Sequence, residues 1–545
     1  MSLLNCIKRL FLLPQSLKTS LKSQKFMAHN RRFFSRTVRK LSKNPIILFE
    51  LNTMHSAHIS YSYLANILAD KQQAEIVAYT PRCPQNWREK LAFWIKSTIG
   101  YEHFGVYRSF GTTTFWNATP TRAQEARAKK LTDKLLLKIN NVTDIDNLKI
   151  EGVRVGDLIY DTYLRRNSVP TIAPKSPEFH QHLQESVKLF IAWTDYLNDH
   201  DVRAINLSHC VYNLALPLRL AVRRNIPVYQ INLTHLYRLT EQDMFAYNDF
   251  HYFPDRFSSL PKEIKKDGLA EAEQRINRRL SGEVGVDMAY SSKSAYGATQ
   301  EKLLLQKSPR KKILIATHCF FDSPHSYGNN LFPDFYEWLD FLGKITERTD
   351  YDWYIKTHPD YIAGTMEVIE TFIERYPKFT LLSSDASHHQ IISEGIDLAL
   401  TVYGTIGFEY AALNIPVINA SLNNPHIAYD FNIHPKNIEE YRDILMNLDT
   451  LNFKINRQQV YEYYFMRFIY NTENIFFDNY TAVLERLGGY TKQFSPSTYE
   501  LWCNEFSLEK HEKILTALEK FIDSDDFRMD YTHFDQEFSI QHIGV

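Results

Sequence analysis

Between Asp397 and Ser421 the chain reads DLALTVYGTIGFEYAALNIPVINAS, and this stretch limits the fold more than any other. LALTV is short, apolar and partly β-branched, as in a strand buried on both faces of a parallel sheet. Tyr403-Gly404-Thr405 interrupts it. IGFEYAALN then places Ile406, Tyr410 and Leu413 near one helical face, and Pro416 opens a second apolar run, PVINA. Strand, turn, helix, strand is the repeat of a doubly wound α/β sheet. Its helix begins at the carboxyl edge of the sheet, where free amides and the positive end of the helix dipole suit a phosphate. Tyr403, Gly404, Thr405 and Ile406 are therefore expected at a donor phosphate. Glu409 follows one turn later, where a carboxylate can accept hydrogen bonds from a ribose diol.

Upstream, Trp353-Tyr354-Ile355-Lys356 reads as a neighbouring strand that ends in Thr357-His358-Pro359-Asp360. Pro359 restricts the backbone before it, and the crevice beyond the strand ends is where open α/β sheets bind ligands. An imidazole there can hydrogen-bond a leaving phosphate and offset its charge. His358 is thus a catalytic candidate, with Lys356 and Pro359 on the donor side.

At 545 residues the chain exceeds a single core, so at least two domains are expected. The formal charge is zero, which argues against a general nucleic-acid binder. Five Cys without a C-x-x-C pair exclude a zinc ribbon, make a disulfide framework a poor fit, and suit a reducing, cytoplasmic compartment. No apolar run reaches the roughly 18 residues of a spanning helix. The first 49 residues hold 11 Lys or Arg and no Asp or Glu. Residues 1–43 read as a basic arm with three possible meanings: a peripheral contact with an anionic membrane, Leu and Phe inserted; a mitochondrial presequence; or a tail without a role.

Residues 44–290 read as a Rossmann-like acceptor domain. IILFEL, a loop with His55 and His58, a helix through Leu64 and Leu68, and EIVAYTP form its opening; VRAINLSH is a later strand ending at Ser208-His209. His55, His58 and His209 fall at strand ends and are acceptor-side candidates. Glu50 and Asp157 are candidate catalytic bases; Asp157 and Asp161 share a helix face, and Asp157 reads equally well as an N-cap. Residues 84–150 look helical and charged, and 255–309 look like helices and a linker. Residues 310–455 form a second α/β series. Its first strand, KKILIATH, runs into a loop holding Thr317, His318 and His325 as donor-side candidates and Asp322 as a catalytic one. No paired carboxylates flank the phosphate turn, so neither a metal nor any cofactor beyond a nucleotide-sugar co-substrate is expected. Residues 456–545 read as helices, with VYEYYFMRFIYNTENIFFDNY aromatic enough to pack across both domains.

Residues 310–421 resemble the capsule polysaccharide biosynthesis proteins, whose superfamily includes the bacterial β-Kdo transferases. The resemblance rests on Lys356-Thr357-His358-Pro359, on Gly404-Thr405-Ile406-Gly407-Phe408-Glu409-Tyr410-Ala411-Ala412, and on Ile415-Pro416-Val417-Ile418. A His-Pro element also marks bacterial sialyltransferases and the polyol-phosphate polymerases of teichoic-acid synthesis. The resemblance implies a GT-B fold, two facing Rossmann-like domains with C-terminal helices crossing back, and a cytidine nucleotide whose phosphate meets His358. The implied activity moves a sugar from a CMP- or other nucleotide-activated donor to a bacterial surface polysaccharide or glycolipid acceptor. Alternatives are a polyol-phosphate (CDP-glycerol-type) transferase, a sugar-nucleotide epimerase, or a non-catalytic envelope-assembly protein.

Overall fold

The computed structural model describes residues 19–34, 44–84, 86–288, 293–297, 299, 301–358, 361–471 and 474–538. They fall into two compact units. The first takes its described residues from Met1–Thr132, Gln184–Met244 and Glu473–Glu537; the second from Asp133–Leu183, Phe245–Thr472 and Phe538–Val545.

The first unit contains β1 (Ile46–Glu50), β2 (Glu75–Thr80) and β3 (Thr112–Asn117). The small hairpin β4 (Lys149–Ile150) and β5 (Val153–Arg154) belongs to the second unit; β6 (Val202–Asn206), β7 (Val228–Ile231) and β8 (Leu236–Leu239) return to the first. The sheet runs β3-β2-β1-β6-β7-β8, parallel except for β7 against β8. That is the order of a doubly wound Rossmann-like sheet, and its direction of winding reverses between β1 and β6. Ile47, Leu48 and Phe49 are fully buried, as a strand covered on both faces requires. The His55–Gln72 helix is buried continuously from Ser56 to Ala69. Helices Ser497–Glu505 and Leu508–Asp523 pack on it.

Part of the expected basic arm is a component of this core. Ser20 caps a helix over Leu21–Phe33 by accepting from the Ser23 amide. Phe26 is buried and stacks on Tyr499 at 4.3 Å, while Phe34 is buried against Tyr63. Phe26, Met27 and Phe34 of this segment are thus used inside the protein, while Leu21 is exposed. Residues 1–18 and 35–43 of the arm lie outside the described residues. Among the described residues no helix is long and apolar enough to cross a membrane.

The second unit contains β9 (Lys312–Ala316), β10 (Asp352–Lys356), β11 (Phe379–Leu381), β12 (Leu398–Thr401) and β13 (Val417–Asn419). All are parallel, in the order β11-β10-β9-β12-β13, and the winding reverses between β9 and β12. Boundaries differ from those expected at 290 and 455. Helix Lys262–Leu280 belongs to the second unit because it packs along Arg457–Tyr464, with Gly268 pressed so close to Phe465 that a Cβ would lie 2.5 Å from the ring. The aromatic run divides: Val460 to Tyr470 enter the core of the second unit, and Ile475 to Leu484 enter that of the first. Helices within Glu473–Glu537 thus return to the first unit.

Candidate functional site

At the carboxyl edge of the second sheet, the winding reversal leaves the ends of β9 and β12 side by side. His318, two residues past β9, bridges them. Its Nε2 lies 3.0 Å from the Thr401 hydroxyl, 3.2 Å from the Val402 amide and 3.4 Å from the Tyr403 amide. Amides only donate, so Nε2 accepts and the ring proton resides on Nδ1. Burial lowers the His318 pKa to about 3, with a further contribution from the charge of His358. The imidazole is therefore neutral near pH 7. Its ring stacks on Phe335 at 4.6 Å and meets Tyr403 at 4.7 Å, which fixes its plane.

The turn after β12 is built on the same network. Thr401 Oγ1 accepts from the Gly404 amide at 3.1 Å, and a Cβ on residue 404 would stand 2.8 Å from that oxygen. Close approach, rather than an unusual φ, calls for glycine here. Gly407 is equally confined, since a Cβ there would meet the His426 ring at 2.5 Å. The amides of Gly407, Phe408 and Glu409 already donate to carbonyls of Gly404 and Thr405. Among the described residues, the amides of Thr405 and Ile406 have no acceptor within the turn. Tyr403 donates its hydroxyl to the Ser323 carbonyl at 3.0 Å, tying the turn to the loop after β9.

Thr317 donates its amide to the Lys356 carbonyl and so joins β9 to β10. Lys356 is buried, and its ammonium donates to the Ser384 carbonyl at 2.9 Å; burial brings its pKa down to about 8. It braces the loop before helix His388–Ser393 rather than standing open at the edge. His358 is exposed just past β10. Burial lowers the pKa of His388, with smaller contributions from the charges of Lys356 and His358. His388 was not singled out in the sequence, although it opens a helix just after β11. It lies 2.6 Å from the Tyr410 hydroxyl and so anchors the helix that follows the turn at Tyr403–Thr405. Pro359 lies outside the described residues.

Other candidates are committed elsewhere. Both oxygens of Glu409 are occupied: Arg279 donates to Oε1 at 2.9 and 2.6 Å, and Tyr296 to Oε2 at 3.1 Å. With the side chain 7% exposed, this carboxylate braces the helix and is not presented to a ribose. His325 is buried between Asp161 (2.6 Å from Nδ1) and Asp146 (3.2 Å from Nε2). Although burial opposes charge, the two carboxylates hold its pKa well above the usual range, so it is a buried imidazolium rather than a ligand contact. Ser323 adds a hydroxyl to Asp161 at 2.5 Å. Asp161, rather than the expected Asp157, makes this pair. Asp157 is buried within the first turn of helix Gly156–Asn167, two residues past Val155, which occupies the N-cap position. Asp322 accepts from the Ser323 amide at 2.9 Å, within the same loop.

In the first unit, Glu50 ends β1 and spans the corresponding reversal. Its two oxygens accept from the Ser208 hydroxyl at 2.7 Å and the Ser208 amide at 2.8 Å, just past β6. Burial raises its pKa against these bonds and against the nearby charges of His209 and Arg82. His209 is exposed beside it. His58 is a core residue: Nε2 donates to the Asn52 carbonyl at 2.8 Å and Nδ1 accepts from the Tyr499 hydroxyl, with no surface left for an acceptor. His55 opens the helix and packs on His103 at 5.4 Å, and burial lowers its pKa to about 4.

No family model matches the sequence. No curated protein matches it either. Among solved structures, similarity extends to KpsC, a β-Kdo 2,4 transferase of Thermosulfurimonas dismutans, at 13% identity over 48% of this chain and 79% of that one, with a TM-score of 0.30. It extends also to the UDP-GlcNAc 2-epimerase of Neisseria meningitidis bound to UDP-GlcNAc, at 10% identity over 77% and 95% of the chains, TM-score 0.22. The UDP-N-acetylglucosamine 2-epimerase of Rickettsia bellii matches at 12% identity over 81% and 98%, TM-score 0.24.

Proposed function

We propose that the protein is a glycosyltransferase that takes a sugar from a CMP- or other nucleotide-activated donor, with the donor phosphate held where β9 and β12 part. The observation that carries this reading is the His318 bridge: a neutral imidazole locked across the strand ends, beside the acceptor-free amides of Thr405 and Ile406. Neutral donors fixed in advance stabilise a leaving phosphate without reorganising during the reaction. His358, exposed next to them, is the group that can carry a proton to the departing nucleotide. A surface polysaccharide or glycolipid is the acceptor class.

Isothermal titration of the full chain with CMP, CDP, UDP and GDP tests the donor site. One nucleotide should bind, and His318→Ala and His358→Ala should each weaken it by about tenfold or more, the order of one lost charge-assisted hydrogen bond. Binding of no nucleotide, or binding unchanged in both variants, removes the reading. Phosphorus NMR of the products then separates sugar transfer from polyol-phosphate transfer.

A further inference from the structure

The helix Trp87–Ile99 of the first unit has no buried residue. It is nonetheless well terminated: Asn86 accepts from the Glu89 amide at one end, and Gly100 adopts the left-handed conformation at φ 67° at the other. One side is tethered to the protein. Phe93 meets Phe104 at 5.5 Å, and the Ser97 carbonyl accepts from Arg108 at 2.8 Å.

At ~100° per residue, Trp87, Leu91, Trp94, Ile95 and Thr98 occupy an arc of about 100°, on the side of the helix away from Phe93. Trp87 is 68% exposed, Leu91 45%, Trp94 63% and Ile95 42%. Arg88 and Lys90 border this stripe. Residues 80–108 hold five Lys or Arg (82, 88, 90, 96, 108) against two Glu (89, 102).

We propose that this helix docks the protein on an anionic lipid bilayer surface, the Trp-Leu-Trp-Ile stripe lying among the acyl-chain ends and the Arg88 and Lys90 side chains reaching up to headgroup phosphates. Indole rings suit that boundary because they are apolar with one polar N–H. Basic residues flanking an apolar stripe add attraction to anionic lipid. A second copy of the chain is a poorer occupant. The helix is ~20 Å long, so its stripe offers on the order of 200 Å², against the ~800 Å² per partner of a stable interface. This helix is distinct in sequence from the basic arm of residues 1–43, and the proposal does not rest on the donor site.

The test is flotation of the full chain with vesicles of phosphatidylcholine alone or with about one-third phosphatidylglycerol. The chain should float with the anionic vesicles, less so as salt rises, and Trp87→Ser/Trp94→Ser should lower partitioning at least tenfold. Arg88→Glu/Lys90→Glu should lower it on anionic vesicles only. All four side chains are exposed, so thermal melts of the variants should match the wild type; if the Trp pair melts early, the charge-reversal pair decides. Failure of the wild type to float overturns the proposal, as does undiminished flotation of both variants. A concentration-dependent dimer abolished by the Trp substitutions overturns it too, by assigning the face to a second copy.

Discussion

Substituting Arg279 by Met tests whether Glu409 is a brace or a ligand contact. The thioether side chain keeps most of the arginine stem while removing both hydrogen bonds to Oε1. Glu409 would then stay buried with the Tyr296 hydroxyl as its remaining partner in this network. Breaking a buried ion pair from one side costs ~3–5 kcal/mol, because a desolvated charge is left behind. Arg279 is 15% exposed at its side chain, which favours the lower end, about 3 kcal/mol. In a unit of this size each kcal/mol moves the midpoint by roughly 1.5–2 °C, so a fall of about 5 °C is expected. Calorimetry resolves it as a shift in the transition of the second unit. Adding Glu409→Leu to Arg279→Met should recover at least half of the loss, since a buried pair replaced by apolar groups is often close to neutral. A midpoint shift below about 2 °C for Arg279→Met, together with loss of nucleotide affinity in Glu409→Gln at unchanged stability, would refute the reasoning and return Glu409 to the donor site.

Two further outcomes follow from the buried histidines. His325 has its pKa raised, so the stability it contributes is fully present below its unfolded value of ~6.5 and is lost as pH rises through the higher folded value. Asp161→Asn should therefore cost most near pH 6, about 3 kcal/mol by urea unfolding, and progressively less at alkaline pH; a pH-independent penalty would deny the imidazolium. His55 and His58 have theirs lowered by burial, His55 to about 4, so the first unit should keep full stability above ~6.5 and lose it on acidification through that window. His58→Gln should flatten the acid limb of Tm against pH, and an unaltered limb would place the acid sensitivity elsewhere.

Much of the architecture is legible in the chain. IILFE, VRAIN, KILIA, DWYIK and LALT are short, largely apolar runs, and each is a parallel strand buried apart from Arg203 and the two ends of KILIA, because both sheet faces are covered. β3, which falls in the stretch 84–150 expected to be helical, is not legible because TTTFWN is polar and only partly buried at the edge of its sheet, where burial does not select its residues. The domain limits are not legible either: nothing local marks residues 133–183 as belonging with 245–472, since that association rests on contacts such as His325 with Asp146 and Asp161 that are distant in sequence.

The sequence alone determined which residues arrive at the carboxyl edges of the two sheets, because strand ends and glycine turns are local matters of periodicity and backbone sterics. Only the tertiary structure decided what each side chain does there. His318 and His325 lie seven residues apart in one loop, yet one faces amide donors and is held neutral while the other faces two carboxylates and is held charged. The protonation state of a histidine is set by burial and by the charges within a few ångströms of its ring, and those neighbours come from distant parts of the chain.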